Sequence, residues 1–276
     1  MGKLDGKVAF ISGVARNQGR SHAITLAEQG ADIIGFDICR KIETSCHSGA
    51  TEDDLAETVR QIEALGRKAV VSVADVRNYD EVEAAFAKGI AELGRCDIVL
   101  ANAGIFASGK FWEIELDAWR EMIDINLTGV WHTVRAAAPQ LIKQNEGGSI
   151  VLTGSTESLK GMPNTASYSA AKHGVTGLMR TMANELGEYG IRVNTVNPTC
   201  VETDMVLNRT VFELFRPDLT NPTREEVSAS FAATNIIPID FIPPRAVSEA
   251  ILYLVSDESK YITGVPLPVD AGFVTK

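Results

Sequence analysis

Cysteine is scarce. Cys39, Cys46, Cys96 and Cys200 are the only four in 276 residues. They are scattered, and two stand beside apolar stretches that read as strands. A disulfide framework is therefore not expected, and the thiols read as free and mostly inert. No histidine joins them at ligand spacing, so no metal site is expected. Positive charge is also short. Lys and Arg number 26 against 36 Asp and Glu, a formal net charge of -10, which speaks against a nucleic-acid backbone as partner. Long apolar runs are missing: CDIVLANAG, from Cys96 to Gly104, stops well short of a membrane span. After Lys3 the chain passes directly into a strand-like pattern with no apolar leader, so a soluble, cytoplasmic protein is expected. Linker-like runs of Pro, Ser and Gly and internal repeats are lacking too, which points to a single domain over 1–276.

What the chain has is apolar bulk and alternation. Hydrophobic residues make up 45%, enough for a substantial core. Strands are expected over 7–12, 32–37, 69–73, 97–101, 148–153, 192–197 and 266–270. Helices are expected over 20–29, 53–65, 79–93, 116–138, 168–187 and 247–255. The strands read as continuous apolar runs, the pattern of a parallel sheet with helices on both faces. The predicted fold is one doubly wound, Rossmann-type α/β domain with a central parallel sheet of about seven strands. Two long irregular segments remain, 38–52 and 199–244, and loops of that length are often functional. The second is expected to carry short helices around 206–215 and 224–232.

The stretch SGVARNQGR, Ser12 to Arg20, follows a strand and opens a helix. Gly13 permits a tight turn, and Gly19 lets the backbone approach a phosphate. Helix N-terminal amides would then face that phosphate. Asn17 stands where another glycine is usual, and Asn tolerates left-handed backbone better than most residues. On the glycines alone, a nucleotide loop and an ordinary strand-helix turn both stay open. Asp37, at the end of the second strand, favours the nucleotide: a carboxylate there accepts ribose hydroxyls and repels a 2′-phosphate, so NAD is preferred to NADP. Arg16 and Arg40 bear on this, since either is able to approach a phosphate. Asp75 and Val76 follow the third strand, and Asn102, Ala103 and Gly104 close the fourth. All fall at strand carboxyl ends, where open parallel sheets bind ligands.

In YSAAKHGV, Tyr168 and Lys172 lie one helical turn apart on a shared face. A phenol has an ordinary pKa of about 10, and a neighbouring ammonium favours its ionised form. Such a pair can exchange a proton with an alcohol or carbonyl oxygen. Ser155 ends IVLTGS and offers a hydroxyl to the same oxygen. Asn126, in DINLTGV, offers an amide to a lysine or a water.

These pieces together, SGVARNQG, Asp75-Val76, ANAG, Asn126, Ser155, Tyr168-x-x-x-Lys172 and Asn197-Pro198, resemble the short-chain dehydrogenase/reductase family across nearly the whole chain. The resemblance implies that Tyr168 is the acid/base, that Lys172 lowers its pKa and binds the nicotinamide ribose, that Ser155 positions the substrate oxygen, and that Asn126 holds a relay water. It implies cofactor contacts from Gly13, Arg16, Asn17, Gly19, Asp37, Asp75, Val76, Asn102, Ala103, Gly104, Pro198 and Thr203. The family usually has Gly after that Pro, whereas this chain has Thr199, which bears on the local loop shape. GRSHAITLAEQGADIIGFDIC and the insertion after Asp37 are similar to the mycofactocin-coupled, carveol dehydrogenase-like branch. That likeness implies tightly held NAD, an insertion over its adenosine end, and mycofactocin as an external redox partner. The substrate pocket is expected between Ser155, Tyr168 and the 199–244 lid, walled by Phe106, Leu159, Met162, Met205, Val206, Val211, Phe212 and Phe215. These walls suit a small apolar secondary alcohol or its ketone. The family likeness implies a homo-oligomer, a tetramer. An NADPH-dependent carbonyl reductase and a nucleotide sensor without turnover are the alternatives.

Overall fold

The apolar runs fold as strands covered on both faces. In the computed structural model, which describes residues 2–276, there are seven strands: β1 (Val8–Ser12), β2 (Asp32–Asp37), β3 (Ala69–Val73), β4 (Ile98–Ala101), β5 (Gly148–Thr153), β6 (Ile191–Pro198) and β7 (Pro266–Val269). They form one parallel sheet in the order β3-β2-β1-β4-β5-β6-β7. The helices are α1 (Asn17–Glu28), α2 (Glu52–Ala64), α3 (Tyr79–Leu93), α4 (Leu116–Ile123), α5 (Gly129–Gln144), α6 (Ala166–Leu186), α7 (Arg209–Phe215), α8 (Arg224–Ala232) and α9 (Pro244–Val255).

Successive strand residues face opposite ways, so each strand feeds two cores. Phe10 packs with Phe36, Phe86, Val134 and Met179 under α3, α5 and α6. Ile11 packs with Leu26, Ile33, Ile62 and Ile251 under α1, α2 and α9. Helix ends follow local chemistry. Thr51 caps α2 reciprocally with Asp54, and Thr223 caps α8 with Glu226, each satisfying otherwise unpaired backbone donors.

β1 pairs with β2 on one side and β4 on the other. Crossovers leave it in opposite directions, and a crevice opens beyond the strand carboxyl ends. Ser12, Asp37, Ala101, Thr153 and Pro198 each end a strand there.

One helix differs from expectation. The run predicted over 116–138 is α4, a π-helical turn (Asp124–Thr128) and α5, which continues to Gln144 with Pro139 inside it. Proline ordinarily ends a helix. Here Leu141 is fully buried and Ile142 packs on the same core, so packing carries the helix past it.

Segment 38–52 precedes α2 without regular structure. Segment 199–244 holds α7 and α8 around a small core of Val211, Val227, Phe231 and Phe241. Phe215 stacks on Phe231 with ring centroids 3.9 Å apart. Phe106, Cys46 and Cys200 also pack there, tying the two irregular segments to the end of β4. Among the described residues, no helix is long and apolar enough to cross a membrane.

Candidate active site

The glycine loop is tight because its neighbours leave no room. A Cβ on Gly13 would lie 2.9 Å from the Ala103 Cα, and one on Gly19 would lie 1.8 Å from the Gly13 carbonyl oxygen. Asn17 holds φ of 50°, the left-handed geometry that lets it stand in for glycine. Asn102 stitches the loop to β4: its Nδ2 donates to the Ser12 and Gly13 carbonyls at 3.1 and 3.2 Å. Asp37 is buried where β2 ends. Its Oδ2 accepts from the Ala15 N–H at 3.0 Å, and its Oδ1 from the Cys39 N–H at 3.3 Å. Burial raises its carboxyl above the ordinary value, against those backbone donors. Gly13, Gly19, Asp37, Asp75 and Val76 all line one cleft.

Segment 38–52 forms part of the wall of this cleft, through Arg40, Ile42, Ser45 and Ser48 among others. Two arginines hold it. Arg16 donates to the Ser48 hydroxyl at 3.0 Å and to the Ser48 carbonyl, and pairs with Asp204 of the 199–244 segment at 3.0 Å. Arg40 pairs with Asp75 at 3.1 Å, and Arg77 pairs with the same carboxylate at 2.6 Å. Burial opposes the Asp75 charge, but these guanidinium groups outweigh it and hold its carboxyl below the usual range. Both cations that bear on a 2′-phosphate are thus committed to protein partners. The packed glycine cradle and the buried Asp37 fit a dinucleotide without that phosphate.

A second cavity, of about 450 Å³, adjoins the first. Gln18, Asn102, Gly104, Ile105, Thr203 and Met205 line both. Ser155, Tyr168 and Lys172 meet in its wall, with Phe106, Met162, Pro198, Val206, Val211 and Phe215 around them. Ser155 caps a short turn, and its Oγ accepts from the Glu157 N–H at 3.1 Å. Lys172 is buried and donates from Nζ to the Thr153 carbonyl at 2.8 Å. Burial lowers its ammonium to about 8. Tyr168 stands edge-on to Phe106, ring centroids 5.0 Å apart. Burial and then the Glu157 carboxylate push its phenol above the ordinary value, while the Ser155 hydroxyl works the other way.

Comparison with known proteins agrees with this geometry. A family model described as enoyl-(acyl carrier protein) reductase matches residues 13–274. The (−)-trans-carveol dehydrogenase of Rhodococcus erythropolis is 48% identical, with 100% of each chain covered. The structure of carveol dehydrogenase from Mycobacterium avium in complex with NAD superposes with a TM-score of 0.99 at 50% identity, covering 100% of both chains. That of a short chain dehydrogenase from Mycobacterium paratuberculosis bound to NAD gives 0.92 at 42% identity, again over 100% of both. The chain belongs to the short-chain dehydrogenase/reductase family.

Within this short-chain dehydrogenase/reductase, two expected wall residues, Leu159 and Phe212, stand elsewhere than predicted. The Asn126 amide, whose Oδ1 lies with the Lys172 Nζ beside Gly104, is committed to the backbone. Its Oδ1 accepts from the Ile105 N–H and its Nδ2 donates to the Ile105 carbonyl, each at 2.8 Å, so it pins the chain after β4. Lys172 Nζ lies 5.5 Å from the Tyr168 ring centroid while donating to the Thr153 carbonyl, and burial is the largest influence on the phenol. Leu159 ends the short turn, partly exposed, and lines neither cavity. Phe212 likewise lines neither, since it turns toward Phe231 in the small core. Two polar residues escaped sequence reasoning. Gln18 carries a buried, unpartnered Oε1 where the cavities meet, and its place inside the glycine loop was the available signal. Glu157 lines the second cavity, and only its position two residues after Ser155 hinted at it.

Proposed function

We propose that this protein is an NAD-dependent oxidoreductase interconverting a hydrophobic secondary alcohol and its ketone. The observation that carries this reading is the union of the two cavities, a dinucleotide cleft opening onto an apolar chamber at Ser155, Tyr168 and Lys172. Gly13, Asn17, Gly19 and Val76 would shape the dinucleotide's bed, with Asn102, Ala103, Gly104, Pro198 and Thr203 beside it. Asp37 would receive the adenosine ribose. NAD, when bound, supplies the hydride-accepting ring. The chain's own residues handle the oxygen and its proton. Ser155 Oγ already accepts from Glu157 N–H, which leaves its O–H to donate to the substrate oxygen. Tyr168 Oη exchanges the proton with that oxygen. Its raised pKa keeps it protonated at rest, the form that donates to a ketone. Oxidation of the alcohol needs the phenolate and therefore strengthens as pH rises. Lys172, whose ammonium burial lowers to about 8, supplies a nearby exchangeable proton.

The reading extends, on the family likeness, to a cytoplasmic homotetramer with tightly retained NAD and mycofactocin as external redox partner. The hold of Arg16 and Arg40 on segment 38–52 supports retention. Trp119 and Trp131, on α4 and α5, leave apolar surface open for subunit contacts. The experiment is to purify the protein without added cofactor, denature it, and identify any released nucleotide by mass spectrometry. Reduction of the bound nucleotide by alicyclic secondary alcohols is then followed. Near-stoichiometric NAD that such an alcohol reduces is expected. Bound NADP, or no reduction of the bound nucleotide by any alcohol, would overturn the reading.

A further inference from the structure

The proton-transfer chemistry does not require Glu157, yet this carboxylate is placed in the substrate chamber. It is 8% exposed and follows Ser155 in the short turn Thr156–Ser158. Thr165 Oγ1 donates to its Oε2 at 2.5 Å, and Ser169 Oγ donates to the same oxygen. Both protein hydroxyls therefore serve one oxygen. Oε1 has no partner among the described residues, while the residue lines the 450 Å³ cavity. An ionised carboxyl has about four lone-pair sites, and those of Oε1 are left open to a donor in the chamber that Glu157 lines.

We propose that Glu157 determines substrate specificity, its Oε1 accepting a hydrogen bond from a second hydroxyl on the substrate. The substrate class is then an alicyclic diol or hydroxyketone, with one oxygen at Ser155 and Tyr168 and the other at Glu157. This deepens the alcohol dehydrogenase reading and rests on it. A neutral donor fits better than an ammonium. Lys172 already acts on Glu157 as a cationic neighbour, and the Met162, Val211 and Phe215 walls offer a second cation nothing.

The test compares cyclohexanol with its diol isomers as ligands of the purified, NADH-loaded protein, which cannot oxidise them. Binding is read by calorimetry, and kcat/KM is read separately with NAD. A hydrogen bond to a charged acceptor corresponds to about a ten- to hundredfold difference in affinity. The best diol is expected to bind at least about tenfold more tightly than cyclohexanol. Glu157→Leu should bring that ratio close to one, whereas loss of a merely structural carboxylate would weaken both ligands in parallel. If Glu157→Leu does not fold, Glu157→Gln decides: a ratio reduced at least about threefold supports the assignment, since a neutral acceptor is weaker. An unchanged ratio in the folded variant, a wild-type ratio of one, or tighter binding of an amino alcohol than of any diol overturns it. A Glu157-dependent binding ratio without turnover of any alcohol upholds the Glu157 assignment and overturns the dehydrogenase reading.

Discussion

Replacing Arg16 with alanine is expected to speed release of the bound dinucleotide. Arg16 is where the glycine loop, segment 38–52 and segment 199–244 meet, through Ser48 and Asp204. The Arg16 side chain is 17% exposed but that of Asp204 is 54% exposed, so their ion pair contributes at most about 1 kcal/mol. The two hydrogen bonds to Ser48 contribute about 1 kcal/mol each. If this hold is lost when the cleft opens, closure weakens by about 2–3 kcal/mol, and release accelerates by about 30- to 150-fold. The assay loads the protein with isotopically labelled NAD, chases with unlabelled NAD, and samples the bound pool by mass spectrometry. Two variants separate latch from phosphate contact. Ser48→Ala removes one hydrogen bond without touching the guanidinium and should speed release by about fivefold. Asp204→Asn should do so by no more than about fivefold. Wild-type release from Arg16→Ala would refute the argument that segment 38–52 closes over the cleft.

Gly19→Ala places a Cβ 1.8 Å from the Gly13 carbonyl oxygen, so the loop must open and the purified variant should hold little nucleotide; full nucleotide content would contradict that packing. Asp37→Asn removes the charge that repels a 2′-phosphate, and the ratio of NAD to NADP affinity should fall by at least about tenfold, read by titration of nucleotide-free protein. Glu157→Gln removes an anion that raises the Tyr168 phenol. The phenol's pKa should therefore drop, and the limb of kcat/KM for alcohol oxidation that rises with pH should move to lower pH; an unmoved limb would separate Glu157 from the acid/base.

Much of the sheet was legible because buried parallel strands carry unbroken apolar runs. Asp32–Asp37, Ala69–Val73 and Gly148–Thr153 fall where those runs lie. The cofactor loop was legible because its requirements are local, a backbone turn at Gly13 and a left-handed residue at Asn17. What failed depended on residues far apart in the chain. Pro139 reads as a helix end, and only the burial of Leu141 carries α5 beyond it. Glu157 drew no reading from the sequence, since its place depends on Thr165 and Ser169, which donate to it from farther along the chain. Phe212 has the spacing of a pocket wall, but helix α7 turns it toward Phe231. The length of segment 38–52 marked it as functional, whereas its attachment through Arg16 to Asp204 became visible only in three dimensions.

The central claim is that Tyr168 exchanges the substrate proton beside a bound NAD. The most direct measurement is the paired nucleotide content and turnover of Tyr168→Phe, with a diol or alicyclic alcohol that the wild-type protein oxidises. The account predicts unchanged NAD content and a kcat lower by about a hundredfold to ten-thousandfold. Turnover at the wild-type rate with NAD in place would contradict it.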